Sequence, residues 1–353
     1  MNKSLKTAAC LLTLSLLQPL AGGSVLASVL PDTLNKPAVA TELAHRTMLA
    51  DLTRAGQRLV AVGERGHIIL SDDEGNSWRQ ASVPVSVTLT AVCFADELNG
   101  WATGHRGAIL ATADGGETWN LQLDGNGVAA ALLKDAQARD PQLVMSAERL
   151  VEDGADKPLL AIHCQSASQA LAVGAFGMAV MTRDGGQSWQ GLSAVLEATS
   201  ERHLNYLLEH DDGLYIAGEM GGLFRLDQQG HAHNLDEPYE GSFFALTDTR
   251  DGNLLAFGLR GHLFRSSDTG QSWQPVMLDA TQSLTAGTRL PDGRVLITDV
   301  SGTGWLSDDN GHSFSRVRPE RQYPFTALLP IADGRVLAVG QRGITWFKPE
   351  GLR

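Results

Sequence analysis

The chain has 353 residues, 43% hydrophobic and 19% charged, which excludes a disordered polypeptide and allows one large domain or two medium ones. Its net charge of −12 excludes the electrostatic footprint of a nucleic-acid or anionic-membrane binder. Thirty-eight glycines predict many tight turns.

Residues 1–27 read as a secretory signal. Lys3 and Lys6 precede the apolar run "TAACLLTLSLLQPL", and small residues surround a cut after Ala27. The run is too short for a membrane span, and Cys10 lies inside it rather than at a processing site, so no lipoprotein is expected. Cleavage removes two lysines and no acid, taking the balance to −14. The expected location is the periplasm. Residues 28–353 are read as one repeat domain.

That domain writes one phrase repeatedly. The turn Gly-x-x-Gly begins at Gly63, Gly104, Gly174, Gly218, Gly258 and Gly340, with a degraded copy, "DVSG", at Asp299. The steps are 41, 70, 44, 40, 41 and 41 residues. Each copy has an apolar strand, a polar turn, a second strand into the glycine turn, a third strand, and a polar turn ending in an aromatic. Four short strands every 41 residues or so predict an all-β fold, a seven-bladed β-propeller. The last copy stops before a fourth strand. The spacing predicts that an N-terminal strand, Lys36–Glu42, pairs with Ile344–Phe347 and closes the last blade.

The turn after the third strand follows Ser/Thr-x-Asp-x-Gly-x-Ser/Thr-Trp/Phe in five copies. Its carboxylates Asp73, Asp114, Asp184, Asp268 and Asp309 are expected to hold backbone N–H groups, not substrate. Trp78, Trp119, Trp189 and Trp273 are expected to pack into the blades. The fourth copy, "RLDQQGHAH", has lost this box.

The long step holds about 29 extra residues within 124–158, between blades 2 and 3. "VAAALLKDAQA" and "DPQLVMSAERLVEDG" read as two helices. Asp140 is the expected N-cap of the second, Pro141 its first residue and Gly154 its stop, with an apolar stripe of Leu143, Val144, Ala147, Leu150 and Val151. Two cysteines remain after the signal, Cys93 and Cys164. They are read as buried free thiols, with a disulfide as the alternative.

The aspartate boxes coupled to Gly-x-Arg-Gly turns resemble the photosystem II assembly-factor-like branch of BNR/Asp-box propellers, over the whole mature chain. The resemblance implies a non-enzymatic lumenal or periplasmic protein that binds membrane-protein subunits through an arginine-rich face. In that family, relatives in non-photosynthetic bacteria are commonly encoded near exporters of the RND type, so the resemblance implies such an exporter as a partner. The helical insertion and the loss of arginine in three copies depart from the photosynthetic pattern. The expected client is therefore a subunit of another envelope complex, with peripheral rather than integral association.

Arg65, Arg106, Arg260 and Arg342 occupy the third turn position, and blades 7, 1 and 2 make three of them consecutive. Arginine suits bidentate carboxylate contacts, so these are the expected partner-binding residues. The alternative is a glycan-binding protein or a sialidase-like glycoside hydrolase. That would need a Tyr/Glu nucleophile drawn from Tyr206, Tyr215, Tyr239 or Tyr323, and Glu64 and Glu219 form no placed pair. His67, His105, His262 and the "HAH" of His231–His233 are read as surface or strand histidines. No catalytic residue, metal or cofactor is assigned.

Overall fold

A computed structural model describes residues 32–353 apart from 140, 194, 196–201, 228–230, 320, 332–333 and 348–353. The signal segment 1–27 and the Asp140 cap lie outside the described residues. Seven antiparallel sheets follow one another along the chain, six of four strands and one of three. The chain is a seven-bladed β-propeller with two added helices.

Each blade starts at the ring axis. The inner strands are Leu49–Ala55, Leu89–Phe94, Leu159–Ser166, Leu204–His210, Phe243–Asp248, Leu284–Arg289 and Phe325–Pro330. The second strands are apolar on both faces, as in "RLVAVG", because they are sandwiched between neighbouring blades. Seven apolar clusters result, one at each blade junction. The cluster joining blades 7 and 1 includes Leu49, Leu59, Ile69, Leu337 and Val339. The ring is therefore closed by the same packing that holds its interior seams.

The predicted closing strand is not formed. Blade 7 has three strands among the described residues, the last being Gly343–Phe347. Residues 36–42 lie along blade 1 instead: Ala38 donates to the Val83 carbonyl at 3.1 Å, and the Thr41 N–H to Gln80 Oε1 at 3.0 Å. The cause is upstream. Leu34 is buried in the core between blades 1 and 2, which anchors the segment on the side of blade 1 away from blade 7.

The insertion forms α1 (Gly125–Arg139) and α2 (Pro141–Asp153). Val128, Ala129 and Leu132 of α1 are buried against blades 2 and 3. α2 rests mainly on α1, burying Ala147 and Leu150 and leaving Met145 and Val151 exposed. Only part of the expected stripe is thus covered.

The thiol reading is corrected. Cys93 and Cys164 form a disulfide, with Cα atoms 5.7 Å apart. Cys93 lies 11 residues before Gly104 and Cys164 10 before Gly174, nearly the same place in consecutive blades. A ring brings such positions together. The bond staples the two inner strands across the junction where the helical hairpin replaces a short connection.

Candidate functional site

Alternating strand direction sorts the loops onto two faces. Turns between second and third strands share one face with the blade-to-blade connections. Aspartate boxes and the turns between first and second strands share the other.

The glycine turns are built by close approach. A Cβ on Gly63 would lie 2.2 Å from the Met48 carbonyl oxygen, and one on Gly66 2.1 Å from that of Val85. The first glycine admits the lead into its own blade, and the Glu64 N–H donates to Met48 at 3.0 Å. The last admits the connection to the next blade. Between them the third residue is forced left-handed, with φ of 57° at Arg65, 59° at Arg106, 55° at Phe176, 54° at Met220 and 57° at Arg260. This aims its side chain off the face.

Arg342 differs. Gly340 pairs directly with Gly343, so "GQRG" is a two-residue hairpin with its positive φ on Gly343. Arg342 still emerges exposed on the same face. It lines a cavity of about 360 Å3 with Arg321, Tyr323 and Ile344. Arg321 is a cation that the turn pattern does not reveal.

Arginines on both faces form ion pairs, Arg202 with Glu237 among them, but those at the third turn position are largely spared. On the aspartate-box face Arg54 holds Glu74, Arg58 and Arg79 share Asp72 and Glu117, and Arg289 holds Asp248. On the glycine-turn face Arg65, Arg260 and Arg342 have no carboxylate within 4.0 Å among the described residues, while Arg106 meets Asp32 at 3.6 Å. The Arg106 Nε is buried without a partner.

The aspartate boxes are structural in their bonding. Asp73 Oδ1 accepts the Ser77 N–H and the Ser71 hydroxyl, both at 2.8 Å, and Oδ2 accepts the Ser77 hydroxyl at 2.6 Å. Asp114, Asp184, Asp268 and Asp309 repeat the pattern. Hydroxyl and then N–H donation from Ser77 holds the Asp73 carboxyl at about 2. Trp78 and Trp119 donate to Gly75 and Gly116 within their own boxes, Trp189 reaches Gln122, and Trp273 is buried. In the altered fourth copy, His231 and His233 both contact Asp227, which accounts for "HAH". Among the described residues no group of His, Cys, Asp or Glu is arranged to hold a metal.

The axial channel is lined by all seven inner strands and encloses about 330 Å3. Its one carboxylate, Asp51, is pushed up to about 6 by burial, against hydrogen bonds from the Val92 and Leu52 N–H groups. Burial and the Asp51 charge take Tyr206 up to about 12. A cavity of about 890 Å3 opens on the aspartate-box face across blades 3 to 6 and carries charges of both signs, including Glu209, Asp211, Arg183 and Arg250. The repeat pattern gives no sign of it, because much of its charged lining comes from the variable turns between first and second strands.

No helix among the described residues is long and apolar enough to cross a membrane. Residues 70–132 match the family described as Photosynthesis system II assembly factor YCF48. Photosystem II stability/assembly factor HCF136, chloroplastic, of Cyanidioschyzon merolae is 31% identical over 98 residues, 27% of this chain. That match spans 21% of the relative's length. The fold is similar to that of YCF48 bound to D1 peptide (TM-score 0.63, 18% identity, 86% of this chain and 93% of that one). It is similar also to YCF48 from Cyanidioschyzon merolae (0.64, 15%, 87% and 97%) and to the WD40 propeller of Doa1 (0.60, 11%, 90% and 96%). The seven blades, five aspartate boxes and glycine turns agree with these matches, which make the chain similar to photosystem II assembly-factor-like BNR propellers.

Proposed function

We propose that this chain is a non-enzymatic periplasmic assembly or accessory factor that holds an acidic segment of a membrane-complex subunit against its glycine-turn face. The carrying observation is the set of arginines without a carboxylate partner among the described residues, Arg65, Arg260 and Arg342, on one face of a protein with net charge −12. Arg106 joins them between blades. Guanidinium groups aimed outward are bidentate N–H donors to carboxylate partners. The solved relative named as bound to a D1 peptide supports a protein ligand. The Cys93–Cys164 bond supports an oxidising compartment, as does the signal-like start. An RND-type exporter is the proposed complex.

The phenols support the non-enzymatic part. The Tyr215 hydroxyl donates to Asp212, Tyr239 stacks on His262, and Tyr206 is raised rather than lowered, opposite to what a nucleophile needs. The test is crosslinking in the native envelope, with Arg65, Arg106 and Arg342 changed together to Glu. Loss of the crosslinked membrane subunit from a folded variant is expected. Undiminished recovery would refute the reading.

A further inference from the structure

The glycine-turn face also carries a second chemistry. Blades 3 and 4 place Phe176 and Met220 where blades 1, 2 and 5 place arginine, and these side chains are 38% and 60% exposed. Both residues are left-handed, at φ of 55° and 54°. For a bulky L-residue that conformation is costly, and glycine would adopt it freely. The aspartate-box face shows the contrast. Its left-handed positions are Gly115 and Gly185 in two boxes, with Glu74, Thr269 and Asn310 in the others. Glycine never appears at the five left-handed third positions of the opposite face. Each of these five blades bears a long side chain there despite the strain, so reach outweighs conformational ease.

Phe176 and Met220 lie in adjacent blades and are bridged by His203 and Glu219. The Phe176 ring packs edge-on against His203 at 4.9 Å between centroids, and His203 contacts the Glu219 carboxylate beside Met220. Lys157 sits 5.5 Å over the same ring, but Asp153 and Asp156 hold its ammonium. The two exposed apolar side chains thus flank a polar His203–Glu219 contact, in the blades between the arginines of blade 2 and blade 5.

We propose that this face binds an extended polypeptide in which an acidic stretch adjoins an apolar one, with carboxylates on the arginines and apolar side chains on Phe176 and Met220. This rests on the arginine reading above and adds the specificity element. Charge complementarity fixes one half of the occupant, and the two strained, exposed apolar residues fix the other.

The test measures fluorescence anisotropy of labelled 12-residue peptides with the full chain. One peptide is Asp/Glu/Gly/Ser throughout; the other joins the same acidic half to a Leu/Phe half. The mixed peptide is expected to bind about tenfold tighter. Phe176→Gly with Met220→Gly should bring that ratio to about one while raising the melting temperature, because glycine relieves both turns. Equal binding of the two peptides by the native chain would overturn the inference, as would a ratio preserved in the glycine variant. So would Phe176- and Met220-dependent binding of phosphatidylglycerol vesicles without a peptide preference. If the acidic peptide itself does not bind, the arginine reading falls first and takes this one with it.

Discussion

The Thr326 hydroxyl donates to the Leu49 carbonyl at 2.8 Å, across 277 residues of sequence, at the seam where blade 7 meets blade 1. Thr90 does the same to Leu159 between blades 2 and 3, at 2.7 Å, and the Asn205 amide to Phe243 between blades 4 and 5, at 2.8 Å. These side chains sit where each inner strand bulges, turning a register shift into an inter-blade bond. The closing seam is thus built like the interior ones. Thr326→Val removes the donor and leaves a carbonyl without it, so a loss of about 1–3 kcal/mol is expected from urea unfolding. An unchanged midpoint would show that packing alone closes the ring.

Blade 7 should also be the weakest sheet. Gly343–Phe347 has one strand partner among the described residues, whereas its counterpart in blade 1, Ile68–Ser71, has two. Amide hydrogen exchange is expected to be faster in 343–347 than in 68–71. Equal protection would mean that a further segment covers that edge.

The Cys93–Cys164 bond closes a loop of 71 residues that contains both helices. Loop-closure entropy assigns it about 2–4 kcal/mol. Cys93→Ser with Cys164→Ser should lower stability by that amount. A reductant should have the same effect on the native chain and none on the variant.

The aspartate boxes predict acid sensitivity. Hydrogen bonds from Ser77 and Ser188 hold Asp73 and Asp184 at about 2, and those from Ser313 hold Asp309 there against burial. Because the folded values lie below the usual 3.8, their contribution is present above that pH and disappears as pH falls toward 2. The melting temperature should drop across this window. Asp184→Asn should start lower at pH 7 and fall less.

The repeat was legible because propeller geometry is local. The glycine turns, aspartate boxes and paired helices each need particular residues within a few positions. What sequence left hidden is relational. The disulfide joins two blades, and its signal was the matching offset of Cys93 and Cys164 from their glycine turns. The N-terminal segment obeys Leu34, one apolar residue with no place in the repeat. Phe176 and Met220 looked like lost arginines until their backbone angles set them in the same outward-facing position as Arg65.

Asp51 should behave opposite to the boxes. It stands in the axial channel, and burial raises its carboxyl to about 6 from the ordinary 3.8. A raised carboxyl favours the folded state when protonated, so this contribution is full below about pH 4 and is lost as pH rises through 6. The channel admits solvent, so the effect is about 1–2 kcal/mol rather than the full shift. Asp51→Asn keeps an oxygen for the Val92 N–H, now accepted at 2.9 Å, without the charge. Urea midpoints should therefore match the native chain at pH 4 and exceed it at pH 8. A variant weaker at pH 8 would mean that the Asp51 charge is itself needed to hold blade 1 against blade 2.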